Sequence, residues 1–484
     1  MIDIQKLRKG VAEAANSLDQ AEGSPNRAPA FTYVPPSHAR ALDPDATLVE
    51  GIRGSGKSFW FAQLSSTTHR EFIQKAFPEV RLDSELKIAR GFGLGLKPAE
   101  APSADVLEKL IEEYKPRAIW RAVLGFHAGF DGEFGQLKRW SERVAWVEAH
   151  PEEFDELLEL ADQRFDSRGE TLLVLFDALD RLGEEWEKIN PLAKALLQVA
   201  LEARSTRSIR FKIFLRPDIL QDQSIIGFPD FSKLLAHKAA LTWRRADLYA
   251  LFFQCLANTA SGRDRFHSIV KEITGATLIN RDENWMLPTA LRSDEKLQEE
   301  VFVAIAGSAM GSSTKRGKPY TWLVNHLQDG LNQVSPRSFF AALNIAATET
   351  PDTSTLAIGY RAIQAGVQKA SQIRVQEITG EDYPWVQLVM TPLYGNLTVP
   401  CDVAEFEKIW VSQRTLIYLE ENLKAGRAAV KLPPQNLGKG AIGVLRDLEF
   451  LGIVQRLVDH RIQMPDVYRI AFGLGRRGGV KPLK

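Results

Sequence analysis

The sequence predicts an α/β protein: a parallel-sheet core, then a helical region, then a C-terminal winged helix. Three observations carry that expectation. A glycine-rich octapeptide, Gly51-Ile52-Arg53-Gly54-Ser55-Gly56-Lys57-Ser58, lies between a strand-like and a helix-like stretch. Two apolar runs, Thr171-Leu172-Leu173-Val174-Leu175-Phe176 and Ile209-Arg210-Phe211-Lys212-Ile213-Phe214-Leu215, end in Asp177 and Arg216; such runs are the form of strands buried on both faces. Toward the C-terminus, a helical segment from Gly440 is followed by two short runs flanking Asp459-His460, which is the layout of a helix with a wing.

Composition sets the bounds. The chain has 484 residues, 44% hydrophobic and 25% charged, ordinary globular values for roughly two to four domains. Lys and Arg number 61 and Asp and Glu 61, so no overall charge draws the chain to nucleic acid or anionic lipid. Its two cysteines, Cys255 and Cys401, exclude a disulfide framework or a cysteine-rich metal site. The N-terminus lacks the apolar core of a signal peptide. The longest apolar run, near Leu248 to Ala257, falls short of the ~20 residues of a membrane span. A soluble cytoplasmic protein with no membrane partner is expected.

Residues 1–45 offer a helix candidate from Ile4 to Leu18, then Glu22-Gly23-Ser24-Pro25-Asn26-Arg27 and Val34-Pro35-Pro36. This composition reads as an arm or adaptor surface. Ala46 to Glu50 reads as a strand entering the octapeptide and Ser58 to Leu64 as a helix leaving it. The octapeptide fits the phosphate-binding pattern G-x-x-x-x-G-K-[ST]. Its glycines let backbone N–H groups of Gly51, Arg53, Gly54, Ser55 and Gly56 turn toward a polyphosphate. Lys57 then reaches the β- and γ-phosphates, and the Ser58 hydroxyl is a Mg²⁺ ligand.

Lys87 to Gly93 reads as a strand, and Gly93-Leu94-Gly95-Leu96-Lys97-Pro98 as a solvent loop. Helices are expected over Ser103 to Tyr114, Pro116 to Phe126, Gly135 to Glu148 and Pro151 to Phe165. The last crowds acids into its first turn; its acidic face reads as solubilising, with a binding patch as the alternative. Asp177 closes the buried strand where doubly wound sheets place their ligands and is the metal candidate. Asp180 is the nearest group to polarise an attacking water. After a helix from Pro191 to Ala203 and the next buried strand, Arg216 either senses the γ-phosphate or is a surface arginine in an Arg-Pro turn. Ala239 to Trp243 is a last strand, followed by a helix from Arg245 to Leu256.

Helices dominate from about 259. Ser335 and Pro336 suit the N-cap and first helical positions, which puts Arg337 in a first turn. A helix from Leu356 to about Ile378, a loop at Pro392-Leu393-Tyr394-Gly395, and helices Ala404 to Trp410 and Ser412 to Ala425 precede the wing.

These residues resemble the AAA+/STAND side of the P-loop NTPases, STAND denoting signal-transduction ATPases with numerous domains. Leu173-Val174-Leu175-Phe176-Asp177-Ala178-Leu179-Asp180-Arg181 is similar to the STAND Walker B pattern, an apolar strand ending in Asp, then Asp and usually Glu. The resemblance makes Arg216 the sensor-1 residue and Ser335-Pro336-Arg337 the sensor-2 arginine of a lid helix. It implies a P-loop NTPase core over 46–258, a helical lid over 259–350, a helical connector over 351–400 and a winged-helix domain with a basic tail over 401–484. ATP and Mg²⁺ are the implied cofactors. At 181 an arginine replaces the usual acid, so catalysis falls to Asp180, or hydrolysis is slow. The absence of a Leu-Ser-Gly-Gly-Gln stretch and of an Asn-Lys-x-Asp guanine reader sets ABC ATPases and GTPases aside.

Residues 438–484 carry nine Lys/Arg against four Asp/Glu, with Arg461 in the wing turn and Arg476-Arg477-Gly478-Gly479-Val480-Lys481 as a tail. Such a cluster can contact phosphates, although only Lys439 and Arg446 lie between 438 and 454. The leading expectation is an ATP-dependent switch, hydrolysing slowly and acting through a separately encoded effector in antiviral defence or stress signalling, with homo-oligomerisation open. The alternative is a DNA-binding regulator or initiator tuned by ATP. A degenerate P-loop that binds nothing is the third.

Overall fold

The computed structural model describes residues 2–18, 28–82, 85–182, 186–281, 283–425, 432–476 and 480. The chain divides into two compact units, one of residues 20–29 and 34–242 and the other of 1–19, 30–33 and 243–484.

The first unit is built on five strands: β1 (Leu48–Glu50), β2 (Leu86–Phe92), β3 (Thr171–Phe176), β4 (Ile209–Leu215) and β5 (Lys238–Ala240). They form one sheet in the order β2-β3-β4-β1-β5, and every pairing is parallel. The expected α/β parallel sheet is present. Parallel strands need helical crossovers that cover both faces, which is why β3 reads as an unbroken apolar run and β4 as a mostly apolar one broken by Arg210 and Lys212. Leu173, Val174, Leu175 and Phe176 are fully buried. Phe176 stacks on Phe211 with centroids 5.3 Å apart and meets Trp120 edge-on. A Cβ on Gly91 would lie 2.3 Å from the Phe176 ring, so glycine lets β2 approach β3 there.

Between β2 and β3 lie helices Ala104–Glu113, Pro116–Ala128, Gly132–Gln136, Trp140–Ala149 and Pro151–Ser167. The expected helix from Gly135 is split, and its main part starts at Trp140. The helix before β4, Trp186–Ala203, contains Pro191 rather than beginning at it.

The second unit is helical. The N-terminal helix, expected over Ile4 to Leu18 as part of an arm or adaptor surface, spans Ile2–Asn16 and belongs to this unit. Leu7, Val11, Ala14 and Ala15 form its buried stripe, and Arg8 donates to Asp352 at 2.9 Å and to the Ala357 carbonyl at 3.0 Å. Its i, i+4, i+7, i+8 spacing is what an amphipathic helix buries. The loop residues Glu22 to Arg27 lie outside the described residues. Helix Arg245–Leu256, expected to close the sheet domain at 258, belongs to this helical unit. It is buried all round, as the centre of a helical core must be.

The C-terminal part packs helices Val403–Ser412, Thr415–Lys424 and Gly440–Phe450 with an antiparallel hairpin, Gln455–Arg456 and Ile462–Gln463. His460 takes a left-handed φ of 68° at the turn. Cys401 bridges to Ile462 as a third strand position. Val444, Leu445, Leu448, Ile453 and Ile462 share one core. Cys255 and Cys401 form no disulfide with one another. Among the described residues, no helix is long and apolar enough to cross a membrane.

Candidate functional site

The octapeptide occupies the turn from β1 into helix Lys57–Ser65. Its start is fixed by Gly51 N–H donating to the Leu215 carbonyl at the end of β4, 3.0 Å. A Cβ on Gly51 would sit 2.2 Å from the Ser55 hydroxyl. Gly56 adopts φ 104° at the helix N-cap, a conformation open to glycine and strained for other residues. The loop therefore curls as the motif requires, and the helix N-terminus, a natural anion site, opens from its rim.

The Lys57 ammonium is folded back into the loop, donating to the Gly51 carbonyl at 2.7 Å and the Ile52 carbonyl at 3.0 Å. Burial lowers its pKa to about 8, opposed by the charge of Asp177 and, further down, of Asp180 and Asp218. Arg53 sits half-buried on the same loop.

Asp177 is 2% exposed at the C-terminal end of β3. Its N–H donates to the Phe92 carbonyl of β2 at 2.9 Å. Ala178, directly after it, has a left-handed φ of 57°, an uncommon state for a residue with a Cβ. That turn ends the strand and leads into the 3₁₀ turn Leu179–Arg181. Burial raises the Asp177 pKa, opposed by a hydrogen bond from the Ser58 hydroxyl and by the Lys57 charge. Asp177 Oδ2 is buried with no hydrogen-bond partner. Orphaned buried acceptors are rare, and a carboxyl oxygen beside a serine hydroxyl is the ligand set a P-loop site offers Mg²⁺. Ser58 and Asp177 thus fit Mg²⁺.

Arg216, 8% exposed at the end of β4, is gripped in a fork by Asp218, with Nε to Oδ1 3.1 Å and Nη2 to Oδ2 2.7 Å. Its Nη1 lies 4.0 Å from Asp180 Oδ2. Asp180 and Arg216 are therefore brought together with Lys57, Ser58 and Asp177 at the C-terminal ends of β1, β3 and β4. Because β1 lies between β4 and β5 while the chain runs on to β2, this edge is a switch point of the sheet, the place where open α/β sheets bind ligands. Arg181, the departure from the Walker B pattern, is exposed.

Asp218 was not assigned from the sequence; its signal is the Arg-Pro-Asp spacing, which sets an acid two residues from the arginine. A second unassigned feature backs the loop. Trp60 Nε1 donates to His38 Nδ1 at 3.0 Å, and burial pushes His38 down to about 3, so the imidazole is a neutral acceptor. Nothing in the Pro36–Leu42 segment signals this.

Arg337 is in the first turn of helix Pro336–Thr348, as expected, and lies in the helical unit. Its Nη1 donates to Glu377 Oε1 at 2.6 Å, and Arg374 lies 3.6 Å from the same carboxylate.

No family model matches the chain, and no curated protein matches it. Among solved structures it is similar to the ORC2 protein of Aeropyrum pernix, in a structure described as its ADPNP–ADP complexes. The identity is 12% and the TM-score 0.37, covering 91% of this chain and 93% of that one. The fold assignment here rests on the parallel sheet itself.

Proposed function

We propose that the chain is an ATP-binding molecular switch of the AAA+/STAND kind that hydrolyses ATP slowly and acts through a partner protein. The observation that carries this reading is Asp177 Oδ2, an unpartnered buried acceptor beside the Ser58 hydroxyl and the P-loop lysine. In this reading Lys57 exchanges the Gly51 and Ile52 carbonyls for β- and γ-phosphate oxygens. Ser58 and Asp177 hold Mg²⁺, which when bound neutralises charge between those phosphates. Backbone N–H groups from Gly51 to Gly56 surround the phosphate chain. Asp180 accepts the proton of the attacking water. Arg216 senses the γ-phosphate once its fork with Asp218 loosens, and Arg337 takes the lid-arginine role in place of Glu377. An arginine tied to carboxylates, and Arg181 in place of an acid directly after Asp180, suit slow turnover and a long-lived ATP state, the property a switch needs. A partner role in antiviral defence or stress signalling extends the same proposal.

The test is thermal unfolding of the purified chain with millimolar ATP and Mg²⁺. Wild type is expected to gain stability and Lys57→Ala to gain none. No shift in wild type refutes the reading.

We read the C-terminal helices and hairpin as a winged helix. The ATP-regulated DNA-binding reading gains less support there. Arg461 is paired with Asp459 at 2.7 Å, Arg456 with Glu449 at 3.6 Å and Arg476 with Asp466 at 3.2 Å. Cations already matched within the fold add little phosphate attraction. Arg477, Lys481 and Lys484 lie outside the described residues. Duplex binding at low salt that Arg461→Ala with Arg476→Ala abolishes would reverse this preference.

A further inference from the structure

Two surfaces of the sheet unit, neither part of the nucleotide site, have opposite charge and matching apolar features. The first is a cleft of about 630 Å³ among the helices between β2 and β3. Leu110, Phe126 and Trp140 line its interior, while Lys109, Lys138, Arg139 and Arg143 stand around it against one lining carboxylate, Glu113. The Arg143 guanidinium lies over the Phe126 ring at 4.4 Å and the Trp140 ring at 4.9 Å, and donates to the Leu137 carbonyl at 2.9 Å. That fixes one cation on an aromatic floor. Lys109, Lys138 and Arg139 are exposed. The nearby Glu142 carboxylate is occupied by the Lys138 and Arg139 backbone N–H groups, at 3.1 and 2.9 Å.

The second surface is the outer face of helix Pro151–Ser167. Phe154 and Ala161 are its buried side. Glu152, Glu153, Glu156 and Glu159 are exposed, and among them Leu160 is 60% exposed. The spacings 152/156, 153/156 and 156/160 place these side chains on one stripe. Asp155 is committed to Arg121, and Glu159 accepts from Gln163 at 3.2 Å. Leu160, set among these exposed acids, is a hydrophobic anchor facing outward.

We propose that the two surfaces are partners, and that helix Pro151–Ser167 of one copy of this chain docks in the cleft of a second copy. Leu160 enters beside Leu110, Phe126 and Trp140, and the glutamates meet Lys109, Lys138 and Arg139. A helix laid in an apolar groove with complementary charge at the rim is a recurrent recognition mode. The patches differ, so the contact is heterologous and either closes into a ring or reciprocal pair or extends. The proposal is independent of nucleotide binding.

The test is size-exclusion chromatography with light scattering on the full chain, without nucleotide. Wild type is expected to exceed the 54.1 kDa monomer mass at low salt and to dissociate as screening shortens the Debye length toward ~3 Å near 1 M salt. Lys138→Glu with Arg139→Glu, and separately Glu153→Lys with Glu156→Lys, should each run as monomers with unchanged circular dichroism. Mixing the two variants in equal amounts should restore the assembly, because each then offers what the other lacks. Leu160→Ala should weaken assembly by about tenfold, the effect of losing one buried leucine contact. A wild-type monomer at every concentration, assembly indifferent to charge reversal, or no recovery on mixing overturns the proposal.

Discussion

Lys212 is completely buried in β4, and its replacement by methionine tests how the sheet supports the loop. Its ammonium donates to the carbonyls of Ala41 at 2.8 Å, Asp43 at 2.8 Å and Ala46 at 2.9 Å. These are the end of helix Pro36–Leu42 and the turn that feeds β1, so one side chain ties the approach to the octapeptide onto β4. An ammonium has three donors to give, one for each carbonyl. Methionine keeps the length but removes all three bonds, the Asp43 carbonyl keeping only the Ala46 N–H at 2.9 Å, at about 1–3 kcal/mol per lost bond. Removing a buried charge offsets several kcal/mol of that, leaving a net loss of roughly 2–4 kcal/mol. For a unit of this size that is about 5–15 °C in Tm. Burial lowers the Lys212 pKa from 10.5 to about 7, opposed by Asp43 and Asp45. Between those values the unfolded chain holds a proton that the folded chain lacks, so stability rises with pH. Below pH 7 the wild type bears the full penalty of the buried charge. The gap between wild type and Lys212→Met should therefore widen from pH 7 upward. Scanning calorimetry at several pH values measures it, and hydrogen exchange over residues 41–50 gives the local readout. A variant within about 2 °C of wild type would show that the three contacts do not hold the segment, and a gap constant with pH would show that the folded chain keeps the Lys212 proton.

Because Lys57 in the free protein titrates near 8 and must be cationic on phosphate, ATP affinity should be flat below pH 8. It should weaken by up to about tenfold per unit above pH 8; calorimetric titration checks this, and Lys57→Arg should remove the slope. Asp177→Asn should abolish the Mg²⁺ dependence of ATP affinity, read by titrating the metal at fixed ATP. In wild type that dependence should strengthen with rising pH, since the buried carboxyl must lose its proton to bind the metal. Asp180→Asn should leave ATP affinity intact and cut turnover by about 10²-fold or more. If turnover survives and Asp218→Asn abolishes it instead, the water-polarising role belongs to Asp218.

Sequence alone was enough to locate the octapeptide, the aspartate that follows β3 and the strands of the sheet. Gly51 to Ser58 curls as a phosphate loop because its glycines act locally, and Thr171 to Phe176 is a strand because an unbroken apolar run of that length has few other uses. The helix Arg245–Leu256 was legible to the residue because its apolar run is longer than a strand of such a sheet. What could not be read is what depends on which elements meet. The placing of β1 between β4 and β5, the fork of Asp218 on Arg216, the His38–Trp60 pair behind the loop and the three carbonyls around Lys212 all join residues far apart in sequence or brought together only by folding. Lys212 shows this most clearly: in the sequence it is a polar residue interrupting a buried strand, and only the turn packed against β4 makes it a triple donor. The N-terminal helix and the boundary at 242 were likewise decided by which core each segment joins. Periodicity and turn chemistry act over a few residues and are written in the sequence; the partners of buried charges are set by how the layers pack.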